Sequence, residues 1–318
     1  MHQSANKPAS DKGTRARQGR TSFLLLSLIW LTGIFLAVPA SSMEVFVSIP
    51  PQKWLSDKIG GKLVTTHVLV EKGQDPHTYE PTPRQIAALS QAKLYFTLDL
   101  EFEEQIVPRL AKTVPTLHII DTADTIAKIA MTEDAHDESE HDEHAHAHAG
   151  EKRHHHAELD PHVWLSPPNL KILAATMAKA MVAEDPANAA IYEKNLLAVS
   201  AALDQLHEQI SQDLAPYRGM TFYVFHPAFG YFAQAYHLRQ EAIETGGKSP
   251  SPKQLAALIA QAQSSKARII FVQPQFDPKS AQTVAQAIHG EVVPLDPLAE
   301  NVPMNLQTMA DKIKAALQ

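Results

Sequence analysis

Asp160-Pro161-His162-Val163-Trp164 nearly repeats an earlier run, Asp75-Pro76-His77-Thr78-Tyr79. In each copy a histidine follows an Asp-Pro step, an aromatic stands two residues later, and a proline stands six residues later, at Pro83 and Pro168. Proline fixes its own φ and pushes the preceding residue out of the helical region, so both histidines are expected on stiff, non-helical turns. A metal ligand needs such a backbone, and the neighbouring aspartate could orient the imidazole through its second nitrogen. Asp-Pro is also a common turn opener, so the repeat alone fits two unrelated turns as well.

The segment between the copies favours metal. Residues 133–158 read EDAHDESEHDEHAHAHAGEKRHHHAE, which holds eight of the seventeen histidines, namely His136, His141, His144, His146, His148, His154, His155 and His156, among nine acidic residues. A packed core cannot be built from this composition, so the segment is expected to be a solvated loop with auxiliary, weaker metal sites. An acidic linker is the competing reading; a tag would sit at a terminus and repeat one residue.

The elements that must position these histidines alternate in type. Short apolar strands are expected at 45–49, 63–70, 93–97 and 117–121, with helices at 84–91 and 101–111 and one running from Pro50-Pro51 to Gly60-Gly61. Such alternation predicts βαβ units around a parallel sheet, whose ligands sit at strand ends. A helix at 169–183 follows His162. The next, 187–214, carries Tyr192, Leu196, Val199, Leu203, Leu206, Ile210 and Leu214 at alternating spacings of four and three, an unbroken helical stripe. At 1.5 Å per residue it would run about 40 Å, long for a helix flanking one small sheet and suited to connecting two lobes; a long surface helix is the alternative. Beyond it the alternation resumes with strands at 221–225, 269–272 and 292–295 and helices at 227–236, 252–264 and 279–288. His226 and Asp296 each end a strand and precede a proline. Four candidate ligands, His77, His162, His226 and Asp296, are thus expected from four strand-end loops, two per lobe. An N3O set of this kind suits tetrahedral zinc, whereas manganese would take more carboxylate. His67, His118, His207, His237 and His289 read as packed, edge or solvated histidines.

The fold class expected is α/β, with two lobes of parallel sheet joined by one long helix and the metal in the cleft between them. The organisation expected is a signal peptide at 1–40, an N-terminal lobe at 43–186, the connecting helix at 187–214 and a C-terminal lobe at 215–318. Arg15, Arg17 and Arg20 precede an apolar run from Phe23 to Val38 that ends in small residues, the pattern of a cleavable secretory leader and short for a bilayer span. Cysteine is absent, which excludes disulfides, thiolate ligands and a lipid anchor on an N-terminal cysteine. Cleavage after Ala40 would remove five basic residues and Asp11, taking the formal charge from −7 to −11. That charge argues against nucleic acid and anionic lipid as partners. A soluble, periplasmic, monomeric protein is expected.

Four stretches together are specific: Gly73-Gln74-Asp75-Pro76-His77-Thr78-Tyr79-Glu80-Pro81, Asp160-Pro161-His162-Val163-Trp164, Phe225-His226-Pro227-Ala228-Phe229-Gly230-Tyr231-Phe232 and Leu295-Asp296-Pro297-Leu298. In these the chain resembles the metal-binding solute-binding proteins of ABC transporters, of the high-affinity zinc-uptake kind, over essentially its whole mature length. The resemblance implies two α/β lobes bridged by a rigid helix, with His77, His162 and His226 as ligands of a transported Zn2+. It implies that Asp296 matches a position where many relatives use a carboxylate, and in zinc relatives water or another acid can stand there instead. Histidine at 226, where manganese binders tend to carry glutamate, and the histidine-rich loop point to the zinc branch. The cysteine pair of some zinc relatives is missing. The partners implied are a membrane permease and a periplasmic zinc chaperone. Against this carrier stands an exported zinc hydrolase, which would keep an open metal position and a general base. No His-Glu-x-x-His occurs, since His207-Glu208 is followed by Ser211 where the second histidine would be.

Overall fold

The computed structural model describes residues 42–131, 159–244, 251–276 and 278–318. The expected leader and the stretch 133–158, with all eight auxiliary histidines, lie outside the described residues. In the first lobe β1 (Met43–Val47), β2 (Val64–Val68), β3 (Leu94–Thr97) and β4 (His118–Asp121) alternate with α1 (Pro50–Gly60), α2 (Pro83–Leu89) and α3 (Glu101–Thr113). The helices α4 (Pro167–Glu184) and α5 (Ala189–Leu214) follow. In the second lobe β5 (Thr221–Val224), β6 (Arg239–Ala242), β7 (Ile269–Val272) and β8 (Glu291–Pro294) alternate with α6 (Gly230–Ala235), α7 (Pro252–Ser264) and α8 (Lys279–Ala287), before α9 (Val302–Ala316).

Both sheets are parallel throughout, with orders β2-β1-β3-β4 and β6-β5-β7-β8. The lobes therefore share one topology. In each, the order reverses between the first and third strands in sequence, so the loops leaving their carboxyl ends part and open a crevice. The lobes also start a helix in the same way. Thr82-Pro83-Arg84-Gln85 opens α2 and Ser251-Pro252-Lys253-Gln254 opens α7, each with the hydroxyl accepting from the glutamine N–H and the glutamine side chain reaching back.

The helix α5 is 26 residues long, about 39 Å at 1.5 Å per residue. Its stripe is buried at Tyr192, Val199, Leu203, Ile210 and Leu214, with Leu196 and Leu206 packed against the same core. It touches both lobes. Near its start Asn195 Nδ2 donates to the Ile59 carbonyl of α1 at 2.8 Å, and near its end Gln307 Nε2 of α9 donates to Asp213 Oδ2 at 3.4 Å.

Neither β6 nor α9 is among the elements expected from sequence. The residues of β6, Arg-Gln-Glu-Ala, have no apolar alternation; the strand is an edge, and its buried Gln240 is held by the Phe229 N–H and the Pro227 carbonyl. In α9 the buried Val302, Leu306, Met309, Ala310 and Ile313 do follow helical spacing.

Candidate metal centre

The loop after β2 carries His77. Asp75 Oδ1 accepts from the His77 N–H at 3.1 Å, and the Tyr79 hydroxyl donates to the Leu69 carbonyl at 2.7 Å, which ties the loop to the end of the sheet. His162 is placed differently from the expectation of a strand-end loop. It lies between a single antiparallel bridge, Ala130 to Leu159, and a 3-10 turn at Val163–Leu165. The strand-end rule fails there because the residue enters through the long excursion after β4. His226 follows β5, where Gln273, just past β7, donates from Nε2 to the His226 carbonyl at 2.8 Å and accepts the His226 N–H at 3.4 Å. That amide bridges the two strands at the crevice of the second sheet.

Three of the four expected ligands meet. The nearest ligating atoms of His77, His162 and His226 lie within 4.8 Å of one another, the one such group of three or more among the described residues. Each ring also has a carboxylate at its Nδ1. Asp160 Oδ1 is 2.8 Å from His162, Glu244 Oε2 is 3.3 Å from His226, and Glu101 Oε1 is 3.5 Å from His77. Carboxylates on Nδ1 leave Nε2 as the coordinating edge. Asp160 also accepts the His162 backbone N–H at 2.8 Å. Burial pushes the His162 imidazolium down to about 4, partly opposed by Asp160, with His226 and His77 adding to the fall. The ring is therefore neutral at neutral pH, as coordination requires.

His226 is buried and stacks on Phe276 at 5.1 Å; Glu244 stands 3.3 Å from its Nδ1 without hydrogen-bond geometry, and its Nε2 has no hydrogen-bonding partner. An unsatisfied buried polar atom costs about 1–3 kcal/mol, which a coordinated cation would remove. The three imidazoles and the orphaned nitrogens fit a divalent, nitrogen-preferring ion.

Asp296 stands outside the group. Its Oδ1 accepts from the Leu298 N–H at 2.9 Å and from Gln275 Nε2 at 3.2 Å. Gln275, not Asp296, lines the cavity with the histidines, together with Leu100, Trp164, Phe276 and Pro297. Of the residues not expected from sequence, Glu101 follows β3 and the strand-end rule would have found it. Glu244 follows the unexpected β6 and had no such signal. Among the remaining histidines, His67 stacks on Phe46 and pairs with Glu44, His118 pairs with Glu184, and His207 lies against Tyr236.

Residues 45–318 match the family described as zinc-uptake complex component A, periplasmic. The high-affinity zinc uptake system protein ZnuA of Yersinia pestis is 29% identical over 273 residues, covering 83% of this chain and 86% of that protein. A crystal structure of ZnuA is 38% identical and superimposes with a TM-score of 0.77, covering 87% of this chain and all of that one. A zinc-bound deletion mutant of ZnuA is 38% identical, with a TM-score of 0.76 over 87% of this chain and 98% of that one.

Proposed function

The chain belongs to the family of the periplasmic zinc-uptake component A, and on that premise we propose that it captures one Zn2+ on His77, His162 and His226 and delivers it to an ABC-type membrane permease. The observation that carries the reading is the convergence of three imidazoles from two lobes on one small, largely buried cavity. The cavity volume is about 20 Å3. Room for a single water takes about 10–15 Å3, so the space between the rings suits a small ion. The family match favours a carrier over a hydrolase. Three nitrogen donors favour zinc over manganese. Asp296 Oδ1 is held by Gln275 and the Leu298 N–H and Asp296 lies outside the group of three histidines, so the fourth position falls to water.

Residues 133–158 add weaker sites. That stretch contains no proline to hold a histidine in place, whereas the cleft histidines are set by turns that carry Pro76, Pro161 and Pro227. The experiment is metal analysis and calorimetry on protein made without a histidine tag. About one zinc per chain is expected after dialysis, and His77→Ala, His162→Ala or His226→Ala should each weaken that event by orders of magnitude, Asp296→Ala by less. A chain lacking 133–158 keeps the tight event and loses the weaker ones. A tight event that survives all three histidine substitutions, or zinc-dependent turnover of an acyl substrate, refutes the proposal.

A further inference from the structure

Four residues separate His226 from Tyr231, and the end of this run meets the other lobe. The Tyr231 hydroxyl donates to the Asp160 carbonyl at 2.9 Å and accepts the Ile129 N–H at 3.2 Å. Asp160 N–H in turn donates to the Ile129 carbonyl at 2.9 Å, so Ile129 and Asp160 form a small platform under the Tyr231 ring. Gly230 packs against the same platform. A Cβ on Gly230 would stand 2.5 Å from Asp160 Oδ2 and 3.1 Å from Ile129 Cδ1, so only glycine lets the carboxylate lie where it does. That carboxylate is 1% exposed, and its other oxygen holds both the backbone N–H and Nδ1 of His162 at 2.8 Å.

We propose that the turn His226–Tyr231 of the second lobe positions two zinc ligands: His226, which it carries, and His162 of the first lobe, which it sets through Gly230, Tyr231 and Asp160. The inference rests on the zinc-site reading above. The second lobe is thereby part of the geometry of a first-lobe ligand. His226 and His162 keep their mutual position only while the lobes keep theirs, and a partner that levered the lobes apart at Tyr231 would withdraw the support of His162 and the ligand His226 in one motion. Gly230 and Tyr231 are positioning residues; neither touches the ion.

Substitutions of such supporting residues change metal affinity about 10–100-fold. Zinc affinity by competition with a chelator, and the d–d absorption of the Co2+-loaded protein, should therefore be measured for Tyr231→Phe, Gly230→Ala and Lys53→Ala. Lys53 pairs with Glu300 across the lobes at 2.9 Å and with Asp57 of its own helix, without touching Asp160, so Lys53→Ala removes an interlobe tie that lies away from the histidines. Tyr231→Phe is expected to weaken zinc about 10-fold and Gly230→Ala towards 100-fold, both with an altered Co2+ spectrum, while Lys53→Ala leaves both unchanged. Tyr231→Phe decides the matter if Gly230→Ala does not fold. Wild-type affinity and spectrum in Tyr231→Phe overturn the proposal, and so does an equal loss in Lys53→Ala, which would make the effect one of general loosening. His162→Ala serves as the reference: retained tight binding in that variant refutes the site itself and not the positioning.

Discussion

Each imidazole of the centre has a carboxylate at Nδ1, but the three stand in different surroundings. Asp160 and Glu244 are buried, while Glu101 is more than half exposed. His162 is thus the most firmly held ring, and its burial has a consequence for stability. Its folded-state pKa is depressed to about 4 from 6.5, chiefly by loss of solvent. Between those values the unfolded chain binds a proton that the folded chain does not, so folding stability falls as pH drops through the window from 6.5 to 4 and is fully present above it. At 1.36 kcal/mol per pH unit the loss is at most about 3 kcal/mol. Urea unfolding of the zinc-free protein should show this decline. It should be shallower in His162→Gln, which has no proton to take up, and equal slopes in the two proteins would remove His162 as the cause.

At the scale of the element, α5 carries the connection between the lobes, and its stripe separates positions that matter from those that do not. Leu203 is fully buried, whereas Leu197, six residues earlier, is 73% exposed. Leu203→Ala should cost about 2–5 kcal/mol through lost burial and the cavity left behind; Leu197→Ala should stay within about 0.5 kcal/mol. Denaturant unfolding of the two variants tests the assignment, and similar costs would contradict it. The stripe was legible in the sequence because a helical face repeats every three or four residues whatever it packs against. Parallel strands were legible for a related reason: β3 and β7 are short apolar runs set between helices. The edge strand β6 was not, since its pairing partner β5 and the amide of Gln240, rather than any pattern of its own, make it a strand. The same limit applied at the site. Asp-Pro-His and strand-end histidines are local signals and could be read, but that Gln275 would hold Asp296, or that Gly230 would face Asp160, depends on contacts between distant segments that no local spacing encodes.

At the scale of the whole molecule the question is how a zinc ion is gripped by two lobes that a single helix spans. Large closures need a few loop or element-end residues to absorb changes in φ and ψ, and α5 is continuous from Ala189 to Leu214. The lobes are also tied away from α5, by Trp164 Nε1 donating to the Pro297 carbonyl at 2.8 Å, by Tyr231 on Asp160, and by Lys53 with Glu300. The movement required is small. Tetrahedral zinc with bonds of about 2.0–2.1 Å places its nitrogens about 3.4 Å apart, against a spread of up to 4.8 Å among the three histidines. Drawing them in by about 1.4 Å is within the reach of side-chain rotation and a shift of the His77 loop. His77 is the least buried of the three and lies on the loop between β2 and α2. Zinc should therefore raise the melting temperature in proportion to RT ln(1 + [L]/Kd) while leaving the lobes in nearly the same relation. Solution scattering on zinc-free and zinc-bound protein should give superimposable profiles, and paired crystal structures should differ mainly around His77. A wide rotation of one lobe against the other between the two states would show that α5 and the interlobe ties yield, and that zinc is trapped by closure and not by ligands held in place beforehand.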